Sequence, residues 1–153
     1  MKISLGADER LTVVEAALEI LAERGHEVTY YGPESEGTQP WPQVARQVAE
    51  DVAEIRAEEG ILFCWTGTGV SMAANKVPGV RAALCVDAET ARGARLWNNA
   101  NVLCVSMRLT SEIILEEILD AWFDTQYIPN ETDEACLIMI DELDDQRNAR
   151  RNK

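Results

Sequence analysis

Histidine is almost absent from this sequence, since the only one among 153 residues is His26. The four cysteines form no C-x-x-C pair and have no histidine beside them, so their spacing offers no zinc site. Three of the four lie in apolar runs, which is typical of reduced thiols in a cytosol rather than of a disulfide framework. His26 follows Gly25 at a predicted helix-to-strand turn, where we expect a surface residue. We therefore expect neither a metal nor another cofactor.

Positive charge is also scarce, because 14 lysines and arginines stand against 27 aspartates and glutamates, giving a formal net charge of -13. Such a chain repels a phosphate backbone and an anionic membrane surface, which argues against nucleic-acid and membrane partners. No stretch approaches the roughly 20 apolar residues of a membrane helix. The first six residues contain too short an apolar run for a signal peptide. We therefore expect a cytoplasmic protein.

The chain does contain a regular alternation of short apolar runs and helical segments. With 46% hydrophobic residues, 153 residues are enough for one core and one domain. Five apolar runs bounded by turn residues predict strands, at residues 2–5, 27–31, 60–64, 81–86 and 102–107. Strands that alternate with helices imply βαβ units and a parallel sheet. We predict an α/β three-layer sandwich, with helices on both faces of a five-stranded parallel sheet.

Helical periodicity predicts helices over residues 11–24 and 44–59, and a third helix capped by Thr110 or Ser111 that runs to about Phe123. A final helix follows Asn130. Its apolar residues have little left to cover in a five-stranded unit, so they pack either on a second subunit or on an open flank of their own sheet. These residues are Cys136, Leu137, Ile140 and Leu143. We place the domain at residues 1–146 and expect the basic residues 147–153 to form a disordered tail.

The third predicted strand ends at Cys64 and is followed by a glycine-rich turn that contains Gly67 and Gly69. In an open parallel sheet, ligands bind outside the carboxyl ends of the strands, where such turns lead into helices. Backbone N–H groups of the turn and of the next helix can stabilise a developing enolate there. A cysteine close to a helix N-terminus forms its thiolate more readily, which suits proton transfer. The alternatives are a small buried cysteine at a strand end, or a turn of a nucleotide-binding domain.

A longer string distinguishes these alternatives. Residues 60–82, GILFCWTGTGVSMAANKVPGVRA, resemble the family of ribose-5-phosphate isomerase B and galactose-6-phosphate isomerase. Two further stretches agree with the family in order and spacing: Gly6-Ala7-Asp8, and residues 91–104, ARGARLWNNANVLC. The resemblance covers nearly the whole chain.

This resemblance implies a Rossmann-like sheet in a homodimer or a dimer of dimers, with active sites completed by both subunits. It also implies metal-independent interconversion of an aldose phosphate and a ketose phosphate. By the same match, Cys64 transfers the proton and Thr66 assists it. The turn that holds the enediolate consists of Gly67, Thr68, Gly69 and Ser71. Asp8 and Asn98 would bind sugar hydroxyls.

Several departures from the family fall on functional positions. Glu9 replaces a histidine that helps to bind phosphate, and Trp97 replaces the histidine that opens the sugar ring. Two arginines that bind phosphate near the C-terminus of the family are replaced by Glu131 and Ala135. Repulsion from these carboxylates would weaken phosphate binding, by about 1 kcal/mol per close charge pair. Two arginines remain as partial substitutes, Arg108, which matches a family arginine, and Arg10.

Aromatic residues also shift relative to the family. Trp41 stands where the family commonly has tyrosine, and Trp65 stands where it has glycine. Together with Trp97 they could line one pocket, which would suit the apolar side of a sugar ring or a cation. The alternative is that each tryptophan packs in the core or in an interface.

Three functions therefore remain open. The first is an aldose–ketose isomerase that uses Cys64 and Thr66 on a small sugar or sugar derivative without the usual phosphate. The second is a non-catalytic partner or binding subunit of the same fold, because galactose-6-phosphate isomerase uses two related chains. The third is ribose-5-phosphate isomerase proper.

Overall fold

The computed structural model describes residues 1–151, excepting the side chains of residues 147, 148, 150 and 151. One sheet has the strand order β2-β1-β3-β5-β4, and all neighbours are parallel. Its strands are β1 (Lys2–Ala7), β2 (Glu27–Tyr31), β3 (Glu59–Cys64), β4 (Ala82–Leu84) and β5 (Val102–Ser106). The predicted fold class, an α/β Rossmann-like sandwich with a five-stranded parallel sheet, is confirmed.

Helices cover both faces of this sheet. They are α1 (Thr12–Glu23), α2 (Trp41–Ala53), α3 (Thr68–Ala74), α4 (Ala88–Asn98), α5 (Glu112–Asp124) and α6 (Glu131–Arg151). Helices α1, α4 and α5 bury their apolar residues against one face, and α2 and α3 against the other. Within the described chain, no helix combines the length and the apolar character needed to cross a membrane.

The central strand β3 is buried along its whole length and supplies side chains to both cores. Ile61 and Phe63 belong to the core under α1, α4 and α5, whereas Leu62 and Cys64 belong to the core under α2 and α3. Successive side chains of a strand point to opposite faces, so this division follows directly from the sequence GILFC. Cys64 thus ends β3 on the side of the helix that follows it.

Helix boundaries differ from the sequence prediction mainly in α2. The helix begins at Trp41, with Pro40 as its N-cap and Pro42 in its first turn, where a missing N–H is tolerated. It ends at Ala53 rather than at residue 59, because Ile55 adopts a left-handed φ of 60°. The N–H groups of Arg56 and Ala57 then both donate to the carbonyl oxygen of Asp51. The predicted helical end at Glu59 is therefore wrong, since Glu59 opens β3.

An ion pair is buried at the start of β3. Arg95 Nη2 lies 2.6 Å from Oε1 of Glu59, a residue that is 7% exposed. The indole N–H of Trp122 donates to Glu59 Oε2 at 2.5 Å, and the Arg95 guanidinium lies 5.0 Å from the centroid of the same indole. Burial raises the pKa of Glu59, although Arg95 and Trp122 oppose the rise. The cluster joins the beginning of β3 to α4 and α5.

Helix α6 leaves its apolar residues largely uncovered in the single chain. Ile138, Met139 and Leu143 are exposed, and Leu137 is half-buried. One contact to the body of the chain comes from Asp144, whose Oδ2 accepts a hydrogen bond from the N–H of Gly79 at 2.9 Å. Packing of this helix on a second subunit stays a prediction. The tail predicted at residues 147–153 also stays a prediction, and residues 152 and 153 lie outside the described part.

Candidate active site

The strand order places a crevice between the ends of β1 and β3. In the sheet, β2 lies beside β1 on one side of this point, whereas β5 and then β4 lie beside β3 on the other side. Such a switch point at the carboxyl ends of parallel strands is where ligands of open α/β sheets bind. Asp8 and Glu9 follow β1, Trp65 and Thr66 follow β3, and Arg108 follows β5. The sheet therefore collects these predicted site residues along one edge, called the carboxyl edge below.

Cys64 lies at the centre of this edge and is 4% exposed. Its carbonyl oxygen accepts hydrogen bonds from the N–H groups of Gly67, at 3.2 Å, and Met107, at 3.0 Å. The first bond closes the turn after β3, and the second ties the turn to the end of β5. The backbone around the predicted proton-transfer residue is thus held from two strands.

The turn after Cys64 depends on glycine. Gly67 is the N-cap of α3, with a left-handed φ of 73°. A Cβ at this position would lie 2.5 Å from Leu84 Cδ1 and 3.0 Å from the carbonyl carbon of Val105. Only glycine therefore lets the turn approach β4 and β5 so closely. Because α3 directly follows β3, its N-terminus lies at the carboxyl edge. The first N–H groups of the helix have no partner within the helix.

Two hydroxyl groups flank this turn. Thr66 Oγ1 and Thr68 Oγ1 share a hydrogen bond of 2.7 Å, and both residues are exposed. Ser71 is half-buried on α3. Thr66 and Thr68 thus lie in the turn that follows Cys64, and their roles in catalysis and binding stay predictions.

Trp41 packs over the same turn from the start of α2. A Cβ on Gly69 would lie 3.1 Å from Trp41 Cδ2, so the indole covers the backbone of Gly69. Trp41 is still 40% exposed. It therefore lies beside the glycine turn at the carboxyl edge, and its part in a ligand pocket stays a prediction.

Trp65 and Arg108 form a second pair at the carboxyl edge. The guanidinium carbon of Arg108 lies 5.8 Å from the Trp65 ring centroid, and the N–H of Arg108 donates to the carbonyl oxygen of Trp65 at 3.0 Å. The hydroxyl of Ser106 also donates a hydrogen bond to the carbonyl oxygen of Trp65, at 3.0 Å. Sequence reasoning missed Ser106, whose only signal is a polar residue in a buried strand.

The two candidate arginines differ in their surroundings. Arg10 binds Glu15 through Nε at 2.5 Å and Nη2 at 3.1 Å, and its guanidinium lies 5.2 Å from the Tyr30 ring centroid. Its charge is therefore compensated. Arg108 has no carboxylate partner among the described side chains. Arg108 is thus the better placed of the two to meet an anionic ligand.

Among the candidate site residues, Asp8 has a carboxylate oxygen that the described chain leaves unsatisfied. Its Oδ1 is buried and has no hydrogen-bond partner in the described part of the chain. Burial raises the pKa of this carboxyl, and the charge of Glu9 raises it further. A buried acceptor without a donor is unfavourable, and a sugar hydroxyl entering the crevice would supply that donor.

Trp97 and Asn98 do not join these residues within one chain. A helix that follows a parallel strand returns antiparallel to it, so the C-terminus of α4 lies at the opposite, amino edge of the sheet. Arg81, just before β4, confirms this placement by donating from Nε to the carbonyl oxygen of Asn99 at 2.8 Å. The length of α4 separates the two edges by about 15 Å. A pocket that joins Trp41, Trp65 and Trp97 therefore requires two copies of the chain.

Helix α6 also reaches this amino edge. Asn98 lines a cavity of about 220 Å³ with Arg81 of the β4 approach and Ile140 of α6. Helix α6 begins at Glu131. Burial and the charges of Glu134 and Asp133 raise the pKa of Tyr127, whereas the charge of Arg81 lowers it. The departure from the family at Trp97 thus lies at the amino edge, and α6, which carries Glu131 and Ala135, reaches that edge at Ile140.

Comparison with known proteins gives one consistent result. A family model described as Ribose/Galactose Isomerase matches residues 3–139. Galactose-6-phosphate isomerase subunit LacB of Clostridium acetobutylicum is 37% identical over 144 residues, which cover 94% of this chain and 83% of that protein. Ribose-5-phosphate isomerase B of Escherichia coli is 38% identical over 127 residues, covering 82% and 85%. D-erythrulose-4-phosphate isomerase of Pectobacterium atrosepticum is 35% identical over 129 residues, covering 83% and 85%.

Solved structures agree. Ribose-5-phosphate isomerase B of Clostridium thermocellum superposes with a TM-score of 0.92 at 32% identity, covering 96% of this chain and 99% of that one. Ribose-5-phosphate isomerase B of Mycoplasma genitalium, solved with bound ribulose-5-phosphate, gives a TM-score of 0.88 at 33% identity, covering 94% and 96%.

The role of Gly67 can be tested against a matched glycine. We expect Gly67→Ala to lower the free energy of unfolding by about 2 kcal/mol or more, because it adds a steric clash to left-handed strain. Gly25 also has a positive φ, of 74°, but a Cβ there would meet nothing within 4 Å. Gly25→Ala should therefore cost only the strain, about 1 kcal/mol. Urea unfolding measures the free energy of unfolding of both variants. Equal losses in the two variants would contradict the close approach of the turn to β4 and β5.

Asp8 should show opposite effects on stability and on ligand binding. The pKa of Asp8 in the folded protein lies above the ordinary value of 3.8. Its deprotonation as the pH rises from 3.8 through the folded pKa therefore lowers the stability of the ligand-free protein. Asp8→Asn should therefore raise the thermal midpoint at pH 7 and remove this part of the pH dependence, while weakening substrate binding. Glu9→Gln removes only the smaller, electrostatic cause of the raised pKa of Asp8 and should therefore raise the midpoint less. A lower midpoint in Asp8→Asn at pH 7 would contradict a net unfavourable burial of this carboxylate.

Proposed function

Because the chain belongs to the ribose/galactose isomerase family, we propose that it interconverts an aldose and a ketose through an enediolate, with Cys64 as the proton-transfer residue. The observation that carries this proposal is the convergence of Cys64, Thr66 and the glycine turn on the crevice where Asp8 Oδ1 lacks a partner. Relatives over most of the chain are sugar-phosphate isomerases by name.

The chemistry follows from this arrangement. The thiolate of Cys64 removes the proton from the carbon next to the carbonyl of an open-chain aldose, and the electron pair moves to form the enediolate. N–H groups at the start of α3 stabilise the negative oxygen, as preorganised donors do where charge develops. Cys64 then returns the proton to the neighbouring carbon, and a proton shift between the two oxygens, assisted by Thr66, gives the ketose.

Asn98 enters this site from a second subunit in our proposal. It lies at the amino edge of its own chain and cannot reach Cys64 of that chain. A homodimer, or a dimer of dimers, in which the end of α4 meets the carboxyl edge of the partner would unite Asn98 with Cys64 and Asp8. The uncovered apolar side of α6 supports such an assembly, because it offers surface for the second copy.

The substrate in this proposal is a sugar or sugar derivative without the phosphate carried by the relatives' substrates. Glu9 replaces a phosphate-binding histidine, and Arg10 is already paired with Glu15. On the partner side, Glu131 and Ala135 replace two arginines. Arg108 alone offers little against these carboxylates. Because Trp97 has no group that can open a sugar ring, the substrate enters in its open-chain form.

Isotope exchange tests this function directly. A panel of ribose, erythrulose and galactose, each with and without its terminal phosphate, is incubated with the protein in deuterium oxide and followed by proton NMR. We expect exchange at the carbon next to the carbonyl for a free sugar, and a loss of about 10³-fold in Cys64→Ser. Cys136→Ser, on exposed α6, should exchange like the wild type.

Two results would change the assignment. Exchange that is faster with the phosphorylated sugars would support an ordinary sugar-phosphate isomerase, as the names of the relatives suggest. Exchange that does not depend on Cys64, or its absence with every sugar, would remove the proton-transfer role.

A second candidate is a partner subunit in an assembly of two related chains. It is favoured by the similarity to a protein named as a subunit, LacB, together with the replaced histidines and arginines. Our first proposal predicts that the isolated chain forms a homodimer or tetramer with exchange activity, measurable by light scattering and NMR. A monomer that becomes active only with a co-expressed related chain would support the second candidate instead.

A further inference from the structure

The C-terminal turn of α4 is held in place by side chains rather than by the helix alone. Asn99 ends the helix in a left-handed conformation, with φ of 43°. The carbonyl oxygen of Ala100 accepts a hydrogen bond from Arg95 Nη1 at 2.6 Å. Arg81 fixes the other side, since its N–H donates to Asn101 Oδ1 at 2.8 Å. Trp97 and Asn98 are exposed on the turn that these contacts immobilise.

Arg95 is the contact that connects this turn to the interior. Its side chain is 16% exposed, and that of its partner Glu59 is 9% exposed. Besides Glu59 and Ala100, Arg95 reaches the carbonyl oxygen of Thr125 from Nε at 3.4 Å. The planar guanidinium therefore joins β3, the end of α4 and the segment after α5 in one fixed geometry.

A purely stabilising role does not explain this cluster well. A buried ion pair generally contributes no more to stability than well-packed apolar side chains of similar volume. An apolar side chain, however, cannot donate to the carbonyl oxygens of Ala100 and Thr125. The charged pair instead fixes orientations. Glu59 orients the Arg95 guanidinium, and the guanidinium then orients the backbone that follows Asn98.

We propose that Glu59 and Arg95 are positioning residues, which hold the Trp97–Asn98 turn in the orientation in which it enters the partner's active site. This inference rests on the proposed function. Glu59 and Cys64 lie at opposite ends of β3. Strand β3 thus orients Cys64 in the active site of its own subunit. Through Glu59 and Arg95 it also orients the Trp97–Asn98 turn, which enters the active site of the partner subunit.

The first test compares two arginines of α4. Arg95→Met removes the contacts to Glu59, Ala100 and Thr125 and should lower kcat/KM for isomerisation by 10- to 100-fold, about the effect of a misplacement near 1 Å. Because Asn98 binds the substrate, KM should rise as well. Arg92→Met, which loses only an exposed pair with Glu89, is the control and should stay within about twofold of the wild type. Equal kinetics in the two variants would overturn the proposal.

A double variant separates positioning from stability. Glu59→Gln/Arg95→Met leaves no unpaired buried charge, and the introduced amide oxygen can still accept from Trp122. Its thermal midpoint should therefore recover most of the loss seen in Arg95→Met, while kcat/KM stays low because nothing donates to Ala100. Recovery of stability and kcat/KM together would show a merely structural role and overturn the proposal.

A third measurement does not depend on the substrate. The N–H groups of Ala100 and Asn101 donate to the carbonyl oxygens of Ala94 and Arg81, so their exchange with deuterium reports the order of the turn. In Arg95→Met we expect exchange at residues 99–101 to accelerate at least tenfold, with unchanged rates in β1. If the wild type shows no isomerase activity, the proposed function fails but this readout still applies. Unchanged exchange at the turn would overturn the positioning role in either case.

Discussion

The parallel pairing of β3 with β1 on one side and β5 on the other is the constraint on which the rest of this structure depends. It directs three strand ends to one edge and brings Asp8, Cys64 and Arg108 together from distant parts of the chain. The same pairing leaves little space above Cys64, so the chain must turn at once. Gly67 makes that turn possible, because any side chain there would strike Leu84 and the backbone of β5.

Parallel topology also explains why the predicted site is divided. Strands and the helices between them run in opposite directions, so the C-terminal ends of the helices lie at the opposite edge of the sheet from the C-terminal ends of the strands. Asn98 and Trp97 are at a helix end, whereas Cys64 and Asp8 are at strand ends. In the proposed assembly, a site that needs both kinds of residue is built from two copies, and the rigidity of each half becomes important. The buried contact between Glu59 and Arg95 supplies rigidity at the amino edge.

Charge decides what such a site can accept. At the carboxyl edge, Glu15 compensates Arg10, while Arg108 stacks beside Trp65 without a carboxylate partner among the described residues. The unpartnered oxygen of Asp8 favours a hydroxyl donor. In the proposed function, this combination favours a polyhydroxy compound over a dianion. In the proposed function, proton transfer and phosphate recognition depend on different residues, so one can change without the other.

The sequence by itself determined the alternation of strands and helices, the parallel sheet, the glycine turn after Cys64 and the family, because periodicity and turn chemistry are local properties of the chain. From the sequence alone, α2 is expected to end at Glu59. Periodicity does not reveal the left-handed conformation of Ile55, which follows the end of the helix at Ala53. Only the tertiary structure decided that Arg10 is compensated, that Ser106 supports Trp65 and that Trp97 lies far from Cys64. Those facts depend on which elements become neighbours, and strand order is not encoded in any single segment.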